Sequence, residues 1–237
     1  RNRKATEARL LEAVERARTG NREPAPAGAP EEPAVRLEKV HTGPVAQGGD
    51  DPFGSLPRYR ICEACGLAPV EDFGAVGDDV LASAVAAIVA VEGPVHVDEV
   101  ARRIRTACGI SRTGKRVQAR IAASLEAAAR SGSVVLKGSF AWPRETPRDL
   151  LRRRDGLETV KAEYICDEEI ERAIAWILAR QYGTEQGDLV AGTARLLGIR
   201  SVREGTGDRI GSLIEAMVRR GELCREENGT IALKKAS

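Results

Sequence analysis

Apolar residues recur every three or four positions in three stretches that follow residue 78, and this spacing places them on one face of an α-helix. The stretches end at a Gly93-Pro94 break, at Gly109 and at Gly132. Two strand-like runs around Lys137-Gly138 come next and predict a hairpin. The apolar positions of the three predicted helices are Leu81, Val85, Ile88 and Val89, then Val100, Ala101 and Ile104, then Val117, Ile121, Leu125 and Ala128.

The same series occurs again 89 residues later, since Gly109 and Gly198 differ by 89 in number, as do Gly132 and Gly221. The shift carries the apolar face of the first helix onto Ile170, Ile174, Ile177 and Leu178. Asn228-Gly229 is a pair typical of a hairpin turn. The chain is therefore predicted to be mainly α with small β-hairpins, in two copies at residues 79–143 and 167–235. Each copy has the order and size of a winged helix-turn-helix, whose third helix usually reads the major groove.

Three segments lie outside the two copies. Residues 1–20 contain a charged helix candidate, TEARLLEAVERAR, and the Pro- and Gly-rich stretch at residues 21–78 predicts a flexible linker. Residues 144–166 are predicted to be a basic connector, in which Arg148 and the run Arg152, Arg153, Arg154 either grip phosphates or form a solvated face. The chain begins RNRKATEARL, without an initiator Met or a signal peptide, so we expect a fragment of a longer protein.

Composition favours a soluble protein, with 42% apolar and 30% charged residues and no apolar run long enough to cross a bilayer. Five cysteines without a disulfide framework favour free thiols and a cytoplasmic location. Cys62 and Cys65 have the spacing of half a zinc site, but no second pair follows, so neither a metal nor a cofactor is predicted. His96, near the start of the second helix, is expected to be structural, and Phe140 and Trp142 are expected to pack against the third helix.

Positive charge is concentrated in the middle of the chain. Residues 79–143 carry nine basic and five acidic side chains, a balance of +4, whereas residues 167–237 carry eleven and twelve, a balance of −1. The net charge of the whole chain is only +2. Any electrostatic attraction to a polyanion is therefore expected from the first copy.

The motif GISRTGKR, residues 109–116, has the spacing of a phosphate-binding loop. Such a loop follows a buried strand, and its lysine precedes Ser or Thr, whereas here Gly109 ends a predicted helix and Arg116 follows Lys115. The second copy, GIRSVREG, keeps only the Gly-Ile pair. Gly109 is therefore predicted to be a helix C-cap with a positive φ, and no ATPase is expected.

The basic turn that remains leads into the third helix, where backbone amides and the helix dipole favour an anion. We predict that it contacts DNA phosphates, the alternative being an ordinary solvated helix face. Glu204 and Asp208 make the matching turn of the second copy nearly neutral, so weaker binding is expected there. The predicted nucleic-acid-binding residues are Ser111, Arg112, Thr113, Lys115, Arg116, Gln118, Arg120 and Lys137 in the first copy and Arg200, Arg203 and Arg209 in the second.

The runs VEGPVHVDEVARRI and RTGKRVQARIAASLEAAARSGSVVLKGSFAWP resemble an uncharacterised tandem domain near the C-terminus of large bacterial superfamily-one DNA helicases. EEIERAIAWILARQYG and TARLLGI are similar to the second half of that domain, and RNRKATEARLLEAVE to the end of the very-short-patch-repair-like nuclease domain that precedes it. The resemblance implies a parent protein that unwinds or cleaves DNA, with a role in DNA repair. This chain has no counterpart of the family's ATPase or nuclease motifs, and its loop at residues 200–207 lacks the Arg-Thr-Gly of the first copy.

We therefore expect a non-catalytic accessory module that binds duplex or forked DNA through its backbone, with little choice of sequence. The parent's helicase or nuclease domains are expected partners, and neither a membrane nor a small-molecule substrate is expected. The alternative is a winged-helix module that docks onto the parent's catalytic core and regulates it.

Overall fold

The computed structural model describes residues 53–111, 114–148, 150–154, 157, 159–181 and 183–234. The helix predicted in residues 1–20 and the part of the predicted linker up to residue 52 lie outside this description. The described chain is about half helical and contains small antiparallel strand pairs, which agrees with the prediction of a mainly α protein with hairpins.

The first copy contains three helices and a small sheet. Helix α1 is Asp78–Glu92, α2 is Val97–Ala107 and α3 is Lys115–Arg130. The hairpin of β2 (Val134–Lys137) and β3 (Phe140–Pro143) is joined by the two-residue strand β1 (Val95–His96), which pairs with β3.

His96 begins helix α2, because its Nδ1 accepts a hydrogen bond from the Asp98 backbone N–H at 3.2 Å. A side-chain acceptor at this position satisfies an amide that has no partner within the helix. The histidine therefore has the structural role that its position predicts.

The second copy has the same order of elements. Its helices are α4 (Asp167–Leu178), α5 (Gln186–Leu196) and α6 (Glu204–Arg219), and its hairpin pairs β4 (Leu223–Arg225) with β5 (Ile231–Leu233). In place of β1, a single antiparallel bridge joins Thr184 to Ile231. Helices α2 and α5 begin and end 89 residues apart, as do α3 and α6.

A short 3-10 turn precedes the first helix of each copy, at Phe73–Ala75 and at Ala162–Tyr164. These turns are also 89 residues apart. The recurrence therefore extends upstream of the predicted boundary at residue 79.

Glycines end the second helix of each copy, as the sequence predicts. Gly109 has φ +70° and Gly198 has φ +78°, a region in which side chains are strained. The N–H of the next residue then reaches back into the helix, from Ile110 to Arg105 and from Ile199 to Ala194, at 2.9 Å in both cases. Gly109 thus follows a helix rather than a strand, which is not the context of a phosphate-binding loop.

The predicted apolar faces form the cores of both copies. Leu81, Ile104 and Ile121 from the three helices of the first copy have at most 2% of their surface exposed, and Ile170 and Ile174 in the second copy have none. The buried side chains recur at helical spacing, as expected for amphipathic helices in a globular domain.

Residues 53–77 do not form the predicted linker: Phe53 packs against the core of the second copy, and the later part of the stretch packs on the first copy. Phe73, Cys62 and Cys65 are buried in its core, and Tyr59 lies between the copies. Pro- and Gly-rich composition favours a linker only when little apolar surface is available to bury, and this stretch supplies three core side chains.

The connector between the copies is anchored by two buried arginines rather than forming a solvated patch. Arg152 and Arg154 are 8% and 6% exposed and share the carboxylate of Glu169, which is fully buried at the start of α4. Both terminal nitrogens of Arg154 donate to Glu169 at 2.8 Å, and Arg152 donates at 3.1 Å. Arg152 also donates to the backbone carbonyl of Glu92, at the end of α1, at 2.7 Å. One guanidinium therefore joins the two copies.

The same contacts continue into the first copy through Tyr59 and Glu92. The Tyr59 ring lies 4.9 Å from the Arg152 guanidinium, and its hydroxyl donates to Glu92 at 2.7 Å. The buried Glu92 carboxylate also accepts two hydrogen bonds from Arg103, at 2.7 and 2.9 Å. We call these six side chains the buried ion network: Tyr59, Glu92, Arg103, Arg152, Arg154 and Glu169.

We expect Glu169→Ala to reduce the free energy of unfolding by about 3–5 kcal/mol, because it leaves two buried guanidinium groups without their carboxylate. Urea unfolding checks this. The control is Glu171→Ala on the same helix, whose carboxylate pairs with Arg220 at 2.8 Å on the surface and contributes less than about 1 kcal/mol. Equal losses in the two variants would contradict a coupling role for Glu169.

The pairing of Glu169 with two arginines also predicts that the folded protein loses stability in acid. Burial raises the pKa of its carboxyl, but Arg154 and Arg152 outweigh burial and hold that pKa below its ordinary value. The stabilisation is therefore complete above the unfolded pKa of about 4.3 and is lost as pH falls through the folded pKa. Unfolding free energies measured from about pH 6 downward should fall more steeply for the wild type than for Glu169→Gln. Parallel curves would show that another group controls the acid transition.

Candidate nucleic-acid interface

The N-terminal end of α3 is open to an anion. Gly114 precedes the helix in an extended conformation and makes no side-chain cap hydrogen bond, and the first turn contains no acidic residue. The first backbone N–H groups of a helix have no partner within it, and the helix dipole makes this end positive. The site can therefore accept a phosphate oxygen.

Two cations stand beside this helix end. Lys115 and Arg116 are exposed, and in the described part of the chain no hydrogen bond or ion pair engages either side chain. Ser111 and Gln118 are also exposed there. Arg112 and Thr113 lie outside the described residues. The structure thus gathers four of the predicted residues at one helix end: Ser111, Lys115, Arg116 and Gln118.

Arg120 has a different position from the one predicted. Its guanidinium donates to the backbone carbonyls of Phe73, Gly74 and Val76 and to the Asp78 carboxylate. These acceptors belong to the 3-10 turn, to the residue that follows it and to the first residue of α1. Arg120 therefore ties α3 to the start of the copy, which leaves its guanidinium unsuited to the predicted phosphate contact.

Arg209 on α6 repeats this contact in the second copy. It donates to the carbonyls of Ala162 and Ile165, at 2.6 and 2.8 Å, and to the carboxylate of Asp167. Each of these four positions lies 89 residues beyond its equivalent around Arg120. We call each set the arginine clamp of its copy. Arg209, like Arg120, is thus engaged within its own copy rather than directed to a phosphate.

Lys137 lies on the hairpin of the first copy, above Trp142, with its Nζ 4.1 Å from the ring centroid. It lines a cavity of about 310 Å³ whose lining also includes Asp167 and Glu168 from α4. Carboxylates nearby reduce the attraction of this lysine for an anion. The structure therefore places it beside acidic groups and apart from the α3 end.

The aromatic residues of the first hairpin do not pack where the sequence predicts. Trp142 is buried with Leu150 and Cys166, and Phe140 packs on the edge of this cluster rather than on α3. The cluster joins the first hairpin to the connector and to the start of the second copy. Burial raises the pKa of the Cys166 thiol to about 12, so the group is a neutral part of this small core.

Several cations of the second copy are engaged by other groups of the chain. Arg200 donates to the Leu157 carbonyl at 3.4 Å, whereas Arg203 is exposed at the N-cap of α6. Elsewhere in this copy, Arg220 binds Glu222 and Glu171, and Arg225 binds Glu215 and Gln186. The start of α6 thus presents one exposed cation without a described ion pair, Arg203, against two at the start of α3.

Sequence reasoning missed one group of surface residues, Arg172, Trp176 and Arg180. They are four residues apart along α4 and its C-terminal extension, so they share one side of the helix. The i, i+4, i+8 spacing of basic and aromatic residues was the available signal.

Within the described residues, no three His, Cys, Asp or Glu side chains come together as a metal site. Cys62 and Cys65 are instead core residues, and burial raises the pKa of the Cys62 thiol. In the same part of the chain, no helix has both the length and the apolar composition needed to span a membrane.

Residues 71–119 match a protein family described as "Protein of unknown function (DUF3320)". The match covers the first 3-10 turn, α1, α2 and the beginning of α3. The chain matches no curated protein and no solved structure.

The clamp arrangement predicts that Arg120 contributes to stability. We expect Arg120→Ala to reduce the unfolding free energy by about 2 kcal/mol, because half-buried carbonyls of the 3-10 turn lose a charged donor. Arg120→Lys should recover little, since an ammonium group lacks the planar array of donors. Arg116→Ala is the matched control on the same helix and should change stability by less than about 0.5 kcal/mol. Urea unfolding of the three variants tests this, and an Arg120→Ala protein as stable as the control would contradict it.

Proposed function

We propose that this chain is a non-catalytic DNA-binding module of two winged helices, and that the N-terminal end of α3 is its main phosphate-binding surface. The observation that carries the proposal is the combination at this end of an uncapped helix start, no acidic residue in the first turn, and exposed Lys115 and Arg116 without a described ion pair. The order of three helices and a hairpin in each copy supports the winged-helix interpretation.

Phosphate binding follows from the electrostatics of this end. The amides of the first turn supply hydrogen-bond donors, and two mobile cations add long-range attraction to a polyanion. Arginine and lysine bind phosphate without reading sequence, so these contacts position the protein on the duplex.

Little sequence readout is expected from the exposed side of α3. Gln118 is exposed there, but the neighbouring exposed positions Ala119 and Ala123 have no hydrogen-bonding group. Discrimination between base pairs in the major groove depends mainly on bidentate Arg, Asn or Gln contacts. Backbone binding with weak base preference is therefore the function that this helix supports.

The two copies are proposed to act unequally. Arg220 and Arg225 in the second copy are paired with carboxylates, while Lys115 and Arg116 in the first are exposed. Arg203 at the start of α6 adds one further exposed cation. The first copy then supplies most of the affinity, and the second contacts the strand more weakly.

The resemblance to the C-terminal domain of superfamily-one helicases favours a role beside a motor or nuclease. In that setting the module would hold duplex or forked DNA while the catalytic domains of a parent protein act on it. We propose no ATPase or nuclease activity for the chain itself.

The double variant Lys115→Ala with Arg116→Ala should weaken binding to a labelled blunt duplex and reduce the slope of log K against log [salt] by about 2, because each lost phosphate contact contributes about 0.9. Anisotropy titrations at several salt concentrations measure both effects. Arg130→Ala with Arg219→Ala is the matched control, since it removes the same charge from two exposed helix ends away from the site. Equal effects of the two double variants would refute the assignment of the site.

Protein docking is a second candidate, favoured by the outer side of α1. Val80 and Val91 are 47% and 41% exposed, and no charged side chain lies between them along the helix. An apolar stripe on a surface helix is typical of a contact with another protein. If duplex binding by the wild type is weak and the α3 double variant leaves it unchanged, docking onto the parent's catalytic core becomes the better account.

A further inference from the structure

The second copy carries a basic and aromatic row that is separate from the α3 end. Arg172 and Arg180 are exposed, and Trp176 between them is half-buried. The positions 89 residues earlier are Ser83, Ala87 and Val91, so the first copy has no such row. The row is therefore a specific feature of α4.

The guanidinium of Arg180 lies over the indole of Trp176. Its guanidinium carbon is 3.7 Å from the ring centroid, and one terminal nitrogen donates to the Trp176 carbonyl at 3.2 Å. Phe53 packs against the same indole, with ring centroids 5.6 Å apart. These contacts hold the guanidinium as a planar platform whose outer face is directed away from the indole.

Three of the four acidic residues of α4 are paired with arginines outside the row, and the fourth is Glu168. Asp167 binds Arg209, Glu169 binds Arg152 and Arg154, and Glu171 binds Arg220. No ion pair engages Arg172 or Arg180 within the described residues. Both cations are thus available to an anionic ligand.

We propose that this row binds single-stranded nucleic acid. A base stacks on the outer face of Arg180, which Trp176 holds flat, and Arg172 pairs with a phosphate of a neighbouring nucleotide. Arginine planes and aromatic rings are common stacking surfaces for unpaired bases. Arg172 and Arg180 are eight residues apart, about 12 Å along a helix, which allows contact with more than one nucleotide.

An unpaired strand suits this row better than a duplex does. Bases in a duplex are stacked on each other and offer only their edges in the grooves, whereas a single strand exposes whole base faces. The site is independent of the α3 end proposed for duplex DNA, so each assignment can fail without the other.

The test is an anisotropy titration of a labelled oligothymidylate with four proteins. The wild type should bind, and Arg180→Ala should weaken binding by about tenfold, as expected for loss of one stacked base. Arg180→Lys should weaken it nearly as much, because it keeps the charge and loses the plane. Arg195→Ala, an exposed arginine on α5, is the control of equal charge and should change affinity by less than about twofold.

Intrinsic fluorescence gives a second measurement. Trp142 is only 2% exposed, so a change in indole emission on adding oligothymidylate is expected to report on Trp176, and it should disappear in Trp176→Leu. Circular dichroism of each variant confirms that it is folded before it is titrated.

Three results would overturn the proposal. The first is no oligothymidylate binding by the wild type. The second is a loss in Arg180→Ala no larger than in Arg195→Ala. The third is competition by polyglutamate as effective as that by unlabelled oligothymidylate, which would indicate a general polyanion surface without stacking.

Discussion

The position of Glu169 between Arg152 and Arg154 is the contact on which the arrangement of the two copies depends. A carboxylate without exposed surface must be paired, and here two guanidinium groups from the connector supply the partners. Arg152 also binds the backbone carbonyl of Glu92 at the end of α1. Separating the connector from either copy would therefore leave a buried charge without its partner. The packing of hairpin, connector and α4 follows from this requirement.

A second contact, the arginine clamp, stabilises the interior of each copy and is the same in both. The arginine clamp fixes the third helix to the turn before the first helix, and it occurs in both copies with equivalent acceptors. The two copies share this internal framework but differ on their surfaces, with unpaired cations at α3 in the first and on α4 in the second. The division of nucleic-acid contacts that we propose therefore requires no difference in fold between the copies.

Periodicity was sufficient to predict the helices, the hairpins and the recurrence, because apolar faces and terminal glycines are local signals. It did not distinguish Arg116 from Arg120, although both are basic residues on one helix. Only the fold reveals that Arg120 meets the carbonyls of a turn 44 to 47 residues away. The buried arginines of the connector were misjudged for the same reason: their partner, Glu169, lies beyond the segment and resembles any acidic residue at a helix start.

The contact between the copies also has a direction. Copy two offers Glu169 to the arginines that precede it, whereas the equivalent position of copy one is Val80, an exposed aliphatic side chain. A further unit placed upstream would find no carboxylate to receive its connector. The ion pair through the connector therefore depends on the order in which the two copies follow each other.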